Sequence, residues 1–199
     1  DDALKNELSA DDNASLTGVF TAEMPTMDKA QFHVESAAMG ENGTPILITQ
    51  SEYMRRMKDA SRYQQGMSFY GEMPDMYNVV LNADHRLIKE VLADMKSQLA
   101  DKLQPIESEL KGLHARHTAI EQSQKDKKPE ELTDADKEDM KKCNDDIAAQ
   151  EEARKQVWAE YGKQNPVVPQ LIDLALLQNG LLRGEALSKF INRSVDLIK

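Results

Sequence analysis

The sequence predicts an α+β fold in which a small mixed sheet of about three strands is covered by helices. Three short apolar segments resemble strands, and a helical segment precedes the third, which favours a mixed sheet with helices packed over it. The 199 residues are 30% charged and 40% hydrophobic, so we expect one domain with an appendage or two small domains. Two helical hairpins are predicted in addition, one protruding as an insertion and one at the C-terminus.

The N-terminal part of the chain, 1–30, is predicted to be a helical remnant of a preceding domain or linker. The first residue is Asp1 rather than Met, which suggests a piece of a longer protein. We place the main, C-terminal domain at 31–199, with 105–161 as a coiled-coil-like helical insertion. Capping residues at 11–13 open a short helix whose apolar residues are Leu16, Val19 and Phe20.

Three strands are predicted in the main domain. The segment 31–38 alternates between apolar and polar residues, as a half-buried strand does. A turn signal at 40–43 precedes a second apolar segment at 45–49, so we predict that these two strands form a β-hairpin. A third short strand is predicted at 77–81, followed by a helix over 84–103 that ends before a proline.

A methionine-rich segment lies between the second and third strands. A helix is predicted at 52–64, with Ser51 as its N-cap, and a loop rich in Gly and Pro follows. Half of the ten methionines lie between Met54 and Met76. Methionine is conformationally adaptable and is common where one surface accepts many shapes. A Met-filled core is the alternative, and periodicity alone does not decide between the two.

The segment 105–161 differs in character from its surroundings. A thin apolar seam among charged residues runs over 105–124, and a charged turn follows at 125–131. Thr133 and Asp136 are spaced as in a capping box with Asp in place of Glu, so they are predicted to begin a second long helix. Two long helices with narrow seams and a short turn predict an antiparallel coiled-coil hairpin.

The last stretch, 165–199, predicts a helical hairpin whose first arm is apolar on most sides. This arm begins with Asn165 as N-cap before Pro166 and ends at Gly180. A helix that is apolar nearly all round must be covered from two directions, whereas the second arm, 184–198, is ordinarily amphipathic. Two such hairpins would form a four-helix bundle across a two-fold axis. The alternative is a hairpin packed wholly within its own domain. The residues predicted at the dimer interface are Leu171, Leu174, Ala175, Leu177, Leu187, Phe190, Ile191, Ser194 and Ile198.

Charge and composition exclude several functions. A net charge of −10 without a basic cluster argues against nucleic acids and anionic membranes as partners. No apolar segment approaches the roughly 20 residues of a membrane span, and Cys143 is the single cysteine, which favours the cytoplasm. His33 and Glu35 lack the paired cysteines of a zinc deaminase, and His114 and His117 have no evident third ligand. We therefore predict no catalytic site, no metal and no cofactor in this chain.

Several stretches in order carry a family resemblance. They are 45–49 (PILIT), 51–58 (SEYMRRMK), 79–88 (VVLNADHRLI), 171–177 (LIDLALL) and 190–193 (FINR). Together they resemble the C-terminal dimerisation domain of the heat shock protein 90 chaperones, bacterial type. The likeness covers 31–102 and 165–199, a little over half of the chain, and its most specific part is the strand followed by Asn-x-Asp-His. The insertion 105–161 lies outside the usual family pattern.

The resemblance implies a homodimer whose final helices pair across a two-fold axis and whose methionine helix helps to hold unfolded or partly folded client proteins. ATP and Mg²⁺ would belong to the parent chaperone's N-terminal domain, so this chain is not expected to be an enzyme. The residues that the resemblance implies to contact clients are Tyr53, Met54, Met57, Ala60, Met67 and Phe69.

Two hypotheses of different classes follow. In the first, the chain is the dimerisation and client-contacting module of an ATP-dependent chaperone. In the second, it is a coiled-coil adaptor or scaffold that binds a partner through the 105–161 hairpin. A third, an acidic enzyme of unknown type, would need a convergent polar pocket that sequence spacing cannot reveal.

Overall fold

The predicted α+β class is confirmed by the computed structural model of the chain. It forms two compact units. The sheet unit comprises 1–94 with 161–199, and the hairpin unit comprises 95–160. The structure describes residues 8–50, 52–61, 74–125 and 132–198.

Three strands and six helices are found in the described residues. The strands are β1 (Ala30–Ala37), β2 (Ile46–Gln50) and β3 (Asp75–Asn82). The helices are α1 (Ala10–Glu23), α2 (Glu52–Ser61), α3 (Arg86–Gln124), α4 (Asp134–Gln164), α5 (Val167–Gln178) and α6 (Gly184–Ile198).

The predicted hairpin between the first two strands is wrong. β3 lies between β1 and β2, parallel to β1 and antiparallel to β2. Val79 of β3 pairs with Val34 on one side and with Ile48 on the other. The connection 38–45 is longer than the roughly 2–5 residues of a hairpin loop, so it leaves room for a strand between its ends. The chain between β1 and β3 supplies the crossover that a parallel pair needs.

Helices cover one face of the sheet. α1 packs against β1 and α5, and α5 packs against β2. Helix α1 is capped by Ser9 rather than by a residue of 11–13, because the Ser9 Oγ accepts a hydrogen bond from the amide of Asp12 at 3.1 Å. The proposed domain boundary after residue 30 stays a prediction. The three apolar residues predicted for this helix, Leu16, Val19 and Phe20, are fully buried in the core.

Asn82, at the end of β3, holds the β1–β2 connection in place. It is 0% exposed. Its Oδ1 accepts hydrogen bonds from the amides of Met39 and Asp84, both at 3.1 Å, and its Nδ2 donates to the carbonyl of Gly40 at 2.9 Å. The Asp84 carboxylate accepts from the Gly40 amide at 2.8 Å, where Gly40 has a φ of +79°. The Asn-x-Asp motif therefore fixes this loop to the end of the central strand.

The predicted turn from β3 into the following helix and the predicted capping box before α4 are confirmed. The Nδ1 of His85 accepts a hydrogen bond from the Leu87 amide at 3.1 Å, so this histidine fixes the turn from β3 into α3. The Thr133 Oγ1 accepts from the Asp136 amide at 3.1 Å, and the Asp136 carboxylate accepts from the Thr133 amide at 3.0 Å. This is the predicted capping box, with Asp in place of Glu.

The hairpin unit has the predicted antiparallel arrangement and buried seam. Cys143 of α4 is fully buried, and its Sγ lies 3.5 Å from the carbonyl oxygen of Leu113 on α3. Further towards the turn, Arg116 pairs with Asp139 at 3.1 Å. Buried thiols of this kind act as small apolar side chains, so Cys143 is part of the seam.

Helix α3 continues through Pro105, where the sequence predicted a break. A proline inside a helix removes one hydrogen bond and costs about 3 kcal/mol, which is why the local sequence favoured two helices. The proline itself is exposed, while Leu103 before it and Leu110 after it are buried. Burial of the seam on both sides of the proline offsets the local cost, so tertiary packing decides the outcome.

We expect Asn82→Ala to lower the free energy of unfolding by about 2–4 kcal/mol, because backbone groups of the 38–45 connection lose their partners. Urea unfolding followed by circular dichroism measures the change. Asn78→Ala, at an exposed position of the same strand, is the matched control and should alter stability by less than about 0.5 kcal/mol. Equal unfolding midpoints for the two variants would contradict the assigned role.

Candidate interaction surfaces

Helix α5 is apolar on two sides, and in the described structure one side is buried while the other is only partly covered. Its inner side chains are buried against the sheet unit, whereas Leu174 and Leu177 are each 38% exposed. This division follows from a sequence with few polar interruptions, because a single neighbouring sheet covers only one face of a helix. The buried residues are Val168, Leu171, Ile172, Ala175 and Leu176.

The start of α5 is held by a partly buried polar network. The Asn165 Oδ1 accepts hydrogen bonds from the amides of Val167 at 2.8 Å and Val168 at 3.2 Å, which confirms Asn165 as the capping residue. Its Nδ2 donates to the Tyr161 hydroxyl at 2.9 Å, and this hydroxyl donates to the Asp94 carboxylate at 2.7 Å. Burial, followed by the hydrogen bond to Asp94, raises the pKa of Tyr161, so the hydroxyl keeps its proton.

Sequence reasoning missed this network, because the pattern around Tyr161 predicts only an apolar seam between two helices. The three side chains are separated by 67 and 4 residues along the chain, so no local motif unites Asp94, Tyr161 and Asn165. The available signal is a tyrosine on the apolar seam of a predicted helix, because a hydroxyl that becomes buried there needs a partner.

The end of α5 turns the chain sharply towards α6. Gly180 has a φ of +67°, its amide donates to the carbonyl of Leu177 at 3.0 Å, and the Leu181 amide donates to the carbonyl of Leu176 at 2.9 Å. This pair of bonds is a Schellman motif, which glycine favours because it has no Cβ. The predicted helix end at Asn179 and Gly180 is therefore confirmed.

Helix α6 is amphipathic, yet no side chain along its whole described length is buried. Leu187 and Phe190 are half-buried. The apolar side chains that α6 leaves exposed are Ile191 (51%), Val195 (48%), Leu197 (56%) and Ile198 (85%).

Four polar side chains join α6 to α5, and we call them the α5–α6 polar cluster: Gln170, Asp173, Arg193 and Ser194. The Gln170 Nε2 donates to the Ser194 Oγ at 2.6 Å, and the Arg193 Nε donates to the Gln170 Oε1 at 3.4 Å. The Arg193 guanidinium also forms an ion pair with the Asp173 carboxylate. The cluster fixes the register of the two helices, because each α6 member contacts a specific α5 partner.

The nine residues predicted for a dimer interface differ in exposure: some are buried within the subunit and others are at its surface. Leu171 and Ala175 are 5% and 3% exposed, so they are already buried within the subunit. Ser194 is engaged with Gln170. The other six are exposed or half-buried on α5 and α6, and the interface itself stays a prediction. These six are Leu174, Leu177, Leu187, Phe190, Ile191 and Ile198.

Helix α2 carries a charged face. Arg55 and Arg56 both donate hydrogen bonds to the Glu52 carboxylate, at distances of 2.8 to 2.9 Å. Hydrogen bonds from Arg55 and then Arg56 lower the pKa of Glu52 to about 2. Arg55 also lies 3.7 Å from Asp59, one turn further along. All of these side chains are exposed, so they form a solvated face of the helix.

The predicted client-contacting residues are only partly within the described structure. Ala60, near the end of α2, is exposed. The nearby outer face of the sheet exposes Leu47 (41%) and Met76 (39%). The remaining predicted residues lie outside the described part: the side chains of Tyr53, Met54 and Met57, and the whole of Met67 and Phe69.

The described ranges contain neither a candidate metal site nor a candidate membrane span. No group of three or more His, Cys, Asp or Glu residues there could hold a metal ion. His33 is an exposed residue of strand β1, and Cys143 is buried in the hairpin seam. In that same part of the chain, every helix is too short or too polar to cross a membrane.

Comparison with known proteins finds chaperones of one type. The chain is 46% identical over 201 residues to the chaperone protein HtpG of Bacteroides fragilis, covering 100% of the chain and 29% of that protein. It is 45% identical over 195 residues to HtpG of Bacteroides thetaiotaomicron (98% and 29%). It is 42% identical over 192 residues to HtpG of Porphyromonas gingivalis (96% and 28%). The chain thus spans under a third of the length of these relatives. No family model and no solved structure matches it.

We expect Tyr161→Phe to lower the free energy of unfolding by about 1–3 kcal/mol, because Asp94 and Asn165 lose a hydrogen-bond partner inside the protein. Chemical unfolding followed by circular dichroism measures the change. Tyr77→Phe is the control, because its ring stacks on Phe32 with centroids 5.6 Å apart and phenylalanine preserves that stacking. The network would have no stabilising role if both variants unfolded at the wild-type midpoint.

Proposed function

We propose that this chain serves as the dimerising and client-contacting module of an HtpG chaperone. The chain belongs to that family, whose members it matches over nearly all of its own residues. The observation that carries the proposal is the concentration of exposed large apolar side chains on α5 and α6. In this proposal the homodimer acts in the cytoplasm. ATP and Mg²⁺ are bound by another part of the full-length chaperone, and no catalysis resides in this chain.

The exposed surface fits a second copy of the same chain. Leu174 and Leu177 on α5 and Ile191, Val195 and Ile198 on α6 are all at least 38% exposed. The α6 members recur at three- and four-residue spacing, so they share one face of that helix. A two-fold axis that brings two α5–α6 pairs together makes a four-helix bundle, in which each copy covers the other's apolar face.

Client contact is proposed for α2 and the adjacent outer face of the sheet. Half of the chain's ten methionines lie between Met54 and Met76, and the thioether side chain adapts to partners of different shape. Leu47 and Met76 add exposed apolar surface from the sheet. Unfolded or partly folded proteins expose apolar side chains without a fixed shape, so a soft apolar surface suits them.

The adaptor hypothesis receives less support. Across the described part of the hairpin unit, none of the large apolar side chains is exposed, since those that are exposed lie in β2, β3, α5 and α6. Partner-binding surfaces usually present apolar anchors at their centre. The hairpin unit buries its apolar residues in its own seam, so we do not assign partner binding to it.

We expect Leu174→Lys and Ile191→Lys each to dissociate the dimer. Both side chains are exposed in the separate subunit, so the fold tolerates the change, but the dimer would bury an unpaired charge at a cost of about 3–5 kcal/mol. Sedimentation and light scattering at micromolar concentration measure the mass. Asn192→Lys, at an exposed polar position of α6, is the control and should stay dimeric. A wild-type chain that is monomeric under these conditions contradicts the proposal.

We expect replacement of Met54 and Met57 by serine to weaken client retention roughly fivefold or more while the dimer stays intact, because two apolar side chains are lost from the contact. Suppression of aggregation of a chemically unfolded protein is the measurement. Asp59→Ser changes an exposed charged position of the same helix and serves as the control. Wild-type suppression by the Met variant would instead place these methionines in the core.

A further inference from the structure

Helix α6 packs against α5 but buries none of its own side chains. A separate helix of this length, 15 residues, is marginally stable in water, because most helix stability in proteins comes from the packing of an apolar face. Within one subunit that face is largely in solvent: Ile191 is 51% exposed and Ile198 is 85% exposed. The contacts that α6 makes inside its own chain are therefore weak for an element of this size.

The α5–α6 polar cluster is one set of contacts that holds α6 in the subunit. The side chains of Arg193 and Asp173 are 36% and 19% exposed, so water and salt screen their attraction in part. The half-buried Leu187 and Phe190 add some apolar contact. These interactions select one register for α6, yet partly exposed polar contacts contribute little free energy.

We propose that the docking of α6 on α5 is conditional: α6 is docked in the dimer, where a second copy covers its apolar face, and is detached in the separate subunit. The inference rests on the proposed dimer and adds the regulation of that same site. Dissociation of the dimer then includes local opening of α6, and association includes its docking. The polar cluster aligns Leu187, Ile191, Val195 and Ile198 beside Leu174 and Leu177, so the interface exists only when α6 is docked.

Two consequences follow from this coupling. The dimer dissociation constant depends on the stability of α6 docking, because only the docked subunit presents the complete surface. Substitutions in the polar cluster therefore weaken the dimer even though their side chains need not touch the second copy. Arg193, Asp173 and Gln170 act in this way as positioning residues for the interface.

Amide hydrogen exchange on the dimeric wild-type chain and on the monomeric Leu174→Lys variant tests the proposal. Leu174 belongs to α5 and is partly exposed, so the substitution leaves the sequence of α6 unchanged. We expect α6 amides to exchange about 100-fold faster in the monomer, with the inner amides of α5 changing far less. Dilution of the wild-type chain through its dissociation constant gives the same comparison without a substitution. Equal protection of α6 in monomer and dimer overturns the proposal.

Arg193→Ala tests the role of the polar cluster. We expect it to speed the exchange of α6 amides and to raise the dimer dissociation constant about tenfold, as loss of charge-assisted hydrogen bonds predicts. Lys189→Ala removes one positive charge from α6 at a position paired with Glu185 on the same helix, so it is the matched control and should stay within about twofold of wild type. Equal effects of the two variants overturn the assigned role.

The mass measurement separates this inference from the proposed function. A wild-type dimer whose α6 protection does not depend on the dimer fraction overturns the conditional docking and leaves the proposed function standing. A wild-type chain that is monomeric at every concentration overturns the proposed function, and the inference with it. A dimer that loses α6 protection on dissociation supports both.

Discussion

The constraint on which the rest of the sheet unit depends is the apolar character of α5 on two opposite sides. One side, which includes Leu171 and Leu176, completes the core over β2 and next to α1. The other side, with Leu174 and Leu177, stays partly exposed. A helix with this composition cannot satisfy both faces against a single three-stranded sheet, so the same residues that stabilise the fold also create surface for an interaction.

Polar contacts determine where these apolar faces point. Asn165 caps α5 and is itself held by Tyr161, while Gly180 ends the helix in a left-handed conformation. The α5–α6 polar cluster then sets the register of the second arm. Buried and half-buried hydrogen bonds contribute modestly to stability, but they specify one arrangement among several that apolar packing alone would permit.

The sequence predicted the features that depend on neighbouring residues. The α+β class, the Thr133 capping box, the Asn165 cap and the end of α5 near Gly180 all follow from local backbone chemistry. The chaperone family was likewise predicted from ordered motifs. Strand order and the continuation of α3 through Pro105 were predicted wrongly, because both depend on contacts between distant segments. Which side of a two-sided helix faces the core, as for Leu171 and Leu174, cannot be decided from periodicity.

The distribution of exposed apolar side chains differs between the two units. The hairpin unit buries its seam, including Leu113 and Cys143, between its own two helices. In the sheet unit, by contrast, large apolar side chains stay exposed on α5 and α6 and on the outer face of the sheet, at Leu47 and Met76. Exposed patches of this kind mark interaction surfaces in soluble proteins. Two such regions in one unit match the two contacts of the proposed function, because self-association needs a fixed register and client holding needs an adaptable surface.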